Sequence, residues 1–173
     1  MGLLLQALDV AGPWRWRWLL TDEASGAALA DHTVAVDPAD EPEAAGFEDL
    51  PGFLRRRADP TRRVESEAEL VAQVGAWAGE RLLGQTVGDA IAAAAPATVR
   101  VRVPESAGWL LFAPWELAYA GGLPLARRGD VSLVFDVGAA TAGGAARGAD
   151  APLRMVAVFS LPTETRALGL RRE

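Results

Sequence analysis

Apolar and polar residues alternate with a period of two near the start of the chain. Residues 3–10 read as a strand, and residues 14–21 as a clearer one. In the second, Trp14, Trp16 and Trp18 share one face while Arg15 and Arg17 take the other. Ser25-Gly26 predicts a turn and residues 28–37 a third strand, so the segment as a whole predicts an antiparallel meander. The acidic stretch 38–45 reads as loop, followed by a short helical piece over 47–57 that Pro51-Gly52 interrupts. The period then changes to 3.6. Leu70, Val71, Val74, Trp77, Ala78 and Leu82 recur at helical spacing over 66–83, with Ser66 and Glu69 as a capping box and Gly84 as the stop. A second helix is expected from Thr86, boxed by Asp89, to Ala95 before Pro96.

Residues 98–103 return to strict alternation with Val99, Val101 and Val103 inward, and 109–112 read as a short buried strand. Pro114-Trp115-Glu116 predicts a helical turn, with proline at the first position and Glu116 near the N–H groups that a helix start leaves open. Gly121-Gly122 ends it, and 131–137 is the next strand. Residues 138–151 are nearly all Gly and Ala without hydrophobic period, the signature of a linker. Beyond it, 153–161 is apolar on both faces, as in a strand covered on both sides, and 163–173 begin a helix. The expected organisation is a first domain over 1–137, a linker over 138–151, and the opening of a second domain over 152–173. The class is α/β, with a mixed sheet and a Trp-rich antiparallel meander at its start. The strand at 153–161 is expected either to dock intramolecularly or to pair with its copy in a dimer.

Trp14, Trp16 and Trp18 are too large to be left in water on one face. Each hides roughly 150–250 Å² when buried, so core is expected and an interface is the alternative. Composition narrows the partners. The net charge of −6 argues against nucleic acid or an anionic membrane surface. Charge is uneven: between residues 22 and 49 every charged side chain is acidic, and Arg55, Arg56, Arg57, Arg62 and Arg63 follow. That pattern is either two solvated faces or a docking surface for a protein of matching pattern. All 17 basic residues are Arg, a usage that points to a GC-rich bacterial genome. With no Cys there is no disulfide framework, and a cytoplasmic location is expected. Met1-Gly2-Leu3-Leu4-Leu5 lacks the positive flank of a signal peptide, and no apolar run approaches a membrane span.

Candidate chemistry is sparse. There is no GxxxxGK[ST], GxSxG, HExxH or CxxC, and no Lys to reach a phosphate. Asp37, Asp40, Glu41 and Glu43 lack the spacing and glycine of a calcium loop. His32 has the parity of Ala30, Val34 and Val36, as a packed histidine with one hydrogen bond would. Asp31 and Thr33 fall on the opposite face and cannot orient it. No catalytic, cofactor or metal residue is therefore expected, nor any cofactor. Trp14, Trp16, Trp18, Pro114, Trp115 and Glu116 are expected to be structural.

Three segments carry a resemblance. They are Leu110-Leu111-Phe112-Ala113-Pro114-Trp115-Glu116-Leu117; Pro124-Leu125-Ala126 with Val131-Ser132-Leu133-Val134; and the run from Leu153 through Met155 and Phe159 to Pro162. Their order and spacing resemble the front part of a CHAT domain, a caspase-like module of the clan that includes separase. Leu168-Gly169-Leu170-Arg171-Arg172-Glu173 is similar to the helix after the first core strand of bacterial members. The resemblance covers roughly 99–173 and matches the Trp-rich meander weakly. It implies a parent cysteine peptidase whose His–Cys dyad lies further along, so that this chain is its non-catalytic N-terminal portion. The partner is then the catalytic half of the same polypeptide. The alternatives are a free-standing protein-interaction module or, least favoured, an enzyme working with carboxylates.

Overall fold

The computed structural model describes residues 1–137, so the linker and the strand expected at 153–161 lie outside the described residues. The meander forms as its alternation requires: β1 (Gly2–Leu8), β2 (Arg15–Asp22) and β3 (Ala28–Ala35) pair antiparallel in sequence. On the other side β1 pairs parallel with β4 (Ala97–Val103), and β4 pairs parallel with β7 (Val131–Val137). The result is a mixed five-stranded sheet of order β3-β2-β1-β4-β7. The α/β class and the antiparallel start are as expected.

All the helices between β3 and β4 serve one face of this sheet. They are α1 (Pro42–Glu48), α2 (Leu50–Arg57), α3 (Arg63–Trp77), a π-helical stretch (Ala78–Gly84) and α4 (Gln85–Ala93). The packed face carries Leu3, Leu5, Trp16, Trp18, Leu20, Val34, Val99 and Val101, all buried. The opposite face is a polar lattice. Three of its arginines are ion-paired, Arg17 with Asp9 at 3.2 Å, Arg100 with Glu23 at 3.0 Å and Arg102 with Asp136 at 3.3 Å. Parallel strands are commonly covered on both faces and read as continuous apolar runs. Here the Arg100 and Arg102 alternation marks the face that is not covered by helices among the described residues. Each exposed pair adds little stability, about 0–1 kcal/mol.

Four local expectations need correction. Residues 42–48 are helical rather than loop: Pro42 sets the first turn, and Ala44 and Phe47, three apart, are both buried. Pro51 opens α2 instead of interrupting a helix, and Asp49 is the cap, its Oδ1 accepting from the Gly52 N–H at 3.0 Å. Neither capping box forms. α3 starts a turn earlier, so Ser66 lies inside it, and its Oγ accepts from the Asp59 N–H at 3.0 Å. Thr86 donates to the Asp31 carbonyl at 3.1 Å rather than capping α4. Finally, 109–112 belong to a 3-10 stretch (Glu105–Phe112), not a strand. Its threefold period buries Ala107 and Leu110 and turns Phe112 out, 89% exposed.

The segment after β4 runs back along the helices. A 3-10 turn (Trp115–Leu117) leads into a hairpin of β5 (Tyr119–Ala120) and β6 (Leu123–Pro124). Gly121 and Gly122, both at positive φ, make its tight turn, the residues a two-residue hairpin of this hand demands. Gly75 and Gly79, one helical turn apart, let this segment lie on α3 and the π-helical stretch. A Cβ at Gly75 would sit 2.5 Å from the Leu117 carbonyl oxygen, and one at Gly79 2.6 Å from that of Tyr119. No described helix is long and apolar enough to cross a membrane.

Candidate functional site

All six tryptophans meet in one network of edge-to-face contacts, linked through Phe47. Trp14 lies against Trp77 at 6.3 Å between centroids, Trp77 against Phe47 at 6.1 Å, and Phe47 against Trp115 at 5.4 Å. Trp115 continues to Trp18 at 5.5 Å, Trp18 to Trp16 at 6.0 Å, and Trp16 to Trp109 at 5.4 Å. Such pairs add about 0.5–1.5 kcal/mol each beyond area burial. The rings come from β2 and the turn before it, α1, α3 and two 3-10 segments, so the network ties the sheet to these elements.

Trp16 and Trp18 are fully buried and Trp14 half-buried. The Trp18 Nε1 donates to the Leu82 carbonyl at 2.8 Å. Its neighbour His32 places Nε2 3.0 Å from the Arg81 carbonyl. A carbonyl can only accept, so Nε2 carries the proton. Both acceptors belong to the π-helical stretch that closes at Gly84, where a helix end leaves carbonyls without intrahelical partners. The strand side chains thus complete the helix terminus, and His32 is packed with one hydrogen bond.

Trp115 is buried, and its Nε1 donates to the Leu110 carbonyl at 2.6 Å. Pro114, half-buried, accepts from the Leu117 N–H at 3.0 Å. Glu116 does not serve the turn as expected. The N–H groups of Trp115, Leu117 and Ala118 are taken by the carbonyls of Ala113, Pro114 and Trp115, no side chain caps the turn, and Glu116 stays exposed.

The acidic stretch is not one arm in solvent. Glu41 receives both Nη2 and Nε of Arg81, at 2.6 and 3.0 Å, and the Trp77 Nε1 at 2.6 Å. The Arg81 guanidinium first, and the Trp77 indole after it, hold this carboxyl below the usual glutamate range against burial, which pushes it up. Among the described residues no group of three acidic or histidine side chains is placed to hold a metal ion.

Two hollows stand out. The first, about 250 Å³, is an aromatic slot walled by Trp14, Phe47, Trp109 and the exposed Phe112, with Pro13 and Glu48 beside them. It opens where the two ends of the tryptophan network, Trp14 and Trp109, come together. The second, about 280 Å³, lies between the π-helical stretch, α4 and the β5–β6 hairpin. Glu80, Gln85, Asp89 and Tyr119 line it above a floor that includes Gly79 and Gly88. The slot could not be read from sequence, because its walls are spread over a hundred positions. Compared with known protein families, curated proteins and solved structures, the chain matches none.

Proposed function

We propose that this chain is the non-catalytic N-terminal module of a bacterial, cytoplasmic CHAT-type cysteine peptidase, and that it scaffolds or regulates the half carrying the His–Cys pair. The observation that carries the reading is the way residues 110–117, the run most like that family, are built into the core. Trp115 is pinned by the Leu110 carbonyl and by two rings, as a framework segment would be. The chemistry agrees. Peptide cleavage of this type needs a thiolate and a base. The chain has no Cys, and its single His spends its Nε2 proton on a backbone carbonyl. The coding sequence past codon 173 tests the reading. A His and then a Cys on caspase-like strands, with peptide hydrolysis by the longer protein that is lost on mutating that Cys, is the expected result. A stop codon directly after Glu173 refutes it.

One observation favours a second reading, a protein-interaction module unconnected with peptidases. Phe112 stands 89% exposed and lines an aromatic slot with Trp14, Phe47 and Trp109, and an exposed apolar residue continuous with others is a common mark of a binding surface.

A further inference from the structure

We propose that the slot between Trp14, Phe47, Trp109 and Phe112 binds an alkylated ammonium group, with Glu48 as its counter-ion. The proposal rests on the slot itself and holds whether or not the chain belongs to a peptidase.

Aromatic faces carry negative charge density and attract a cation lying within about 6 Å of a ring centroid. Four aromatic residues line this one hollow. A methylated ammonium suits such walls better than a bare ammonium or a guanidinium. Its charge is spread over methyl groups, so it surrenders little hydration on entering a site that offers rings in place of hydrogen-bond acceptors.

Three of the four walls are set before any ligand arrives. Trp14 leans on Trp77, whose indole N–H is held by Glu41. Trp109 leans on Trp16, and Phe47 is gripped between Trp77 and Trp115. Fixed walls spare the ordering cost that a floppy site imposes on binding. Only Phe112 is free, and closing it over a headgroup would bury a ring that otherwise faces water.

Charge chooses between a cation and a neutral apolar group. Glu48, the one charged residue lining the slot, is exposed and has no ion-pair partner among the described residues. The side of the slot formed by Trp14 and α1 adjoins the stretch in which every charge from residue 22 to residue 49 is negative. The Trp14 carbonyl accepts from the Val36 N–H at 3.1 Å, which brings that part of the acidic run beside Trp14. A concentration of one sign of charge draws the opposite sign toward it. A neutral side chain would fill the same walls but gain nothing from Glu48. At about 250 Å³ the hollow falls just under the range of drug-sized pockets, about 300–1,000 Å³, so it admits a headgroup rather than a whole cofactor. The same headgroup occurs free, as in choline, and on a trimethylated lysine in a peptide.

The test uses the full 173-residue chain. Isothermal titration and indole NMR shifts would follow choline, its uncharged isostere 3,3-dimethylbutan-1-ol, a trimethyllysine peptide and the same peptide unmodified. Saturable binding of choline or of the trimethylated peptide is expected, about tenfold or more tighter than its uncharged or unmodified counterpart. Glu48→Gln and Phe112→Ala, both at exposed positions, should each weaken it by about three- to tenfold without moving the melting temperature. Tighter binding of choline assigns a free headgroup, and tighter binding of the peptide a methylated protein. Equal binding of choline and its neutral isostere would show a plain apolar slot and overturn the proposal. So would no saturable binding by any of the four probes, or binding that both substitutions leave unchanged.

Discussion

Gly84 closes the long helical run with φ +85° and ψ 135°, a conformation that costs a side-chain-bearing residue dearly. A Cβ there would lie 2.2 Å from Cγ and 2.6 Å from Cβ of His32. Those atoms are the root of a side chain whose Nε2 is fixed to the Arg81 carbonyl, so the ring cannot swing aside and keep that bond. Gly84→Ala therefore meets two costs, backbone strain of about 1–3 kcal/mol and overpacking of about 1–3 kcal/mol. His32→Ala alone removes one hydrogen bond, at about 1 kcal/mol. The two costs are separable because one depends on the histidine and the other does not. In the double variant the ring is gone and the 2.2 Å clash with Cγ goes with it, while the 2.6 Å contact with Cβ, which alanine keeps, and the backbone strain both remain. The double variant should thus be more stable than the sum of the singles predicts by the ring's share of the overpacking, about 1 kcal/mol. Urea unfolding of the four proteins, followed by far-ultraviolet circular dichroism, measures this cycle. Additivity within about 0.5 kcal/mol would refute the contact, and a Gly84→Ala protein as stable as wild type would refute the conformational argument as well.

Trp115→Ala removes a ring that touches Trp18 and Phe47 and leaves the Leu110 carbonyl without its donor, so a loss of about 3–5 kcal/mol is expected in the same assay. Glu41 titrates below the usual glutamate range in the folded chain, chiefly through Arg81 and then Trp77. Its stabilisation is therefore full above the ordinary glutamate range and disappears as pH falls through the lowered folded value. Glu41→Gln should accordingly be less stable than wild type at neutral pH, with the gap narrowing in acid, when thermal midpoints are compared across pH. The purified chain should not cleave a fluorogenic peptide panel; turnover that survives His32→Ala and repurification would show a site built from other groups.

Strands were legible wherever one face is buried and the other wet, because the period of two is written into neighbouring residues. The alternation of Trp16, Trp18 and Leu20, and that of Val99, Val101 and Val103, placed β2 and β4 and said which face was core. The apolar period over 70–82 located the main helix for the same reason. Helix starts were less legible. Ser66 and Thr86 have the right chemistry for caps, but a hydroxyl goes to whichever backbone group the fold brings near, the Asp59 N–H for one and the Asp31 carbonyl for the other. Proline at 42 marked a helix that acidity concealed. The aromatic slot belongs to neither kind of signal. Trp14, Phe47, Trp109 and Phe112 each read as part of its own element, and they meet only because the turn before β2, α1 and the 3-10 stretch over 105–112 come together. Periodicity is a property of one element and survives without its neighbours. A pocket is a property of several elements at once, and it exists only when their packing brings distant side chains to the same few ångströms.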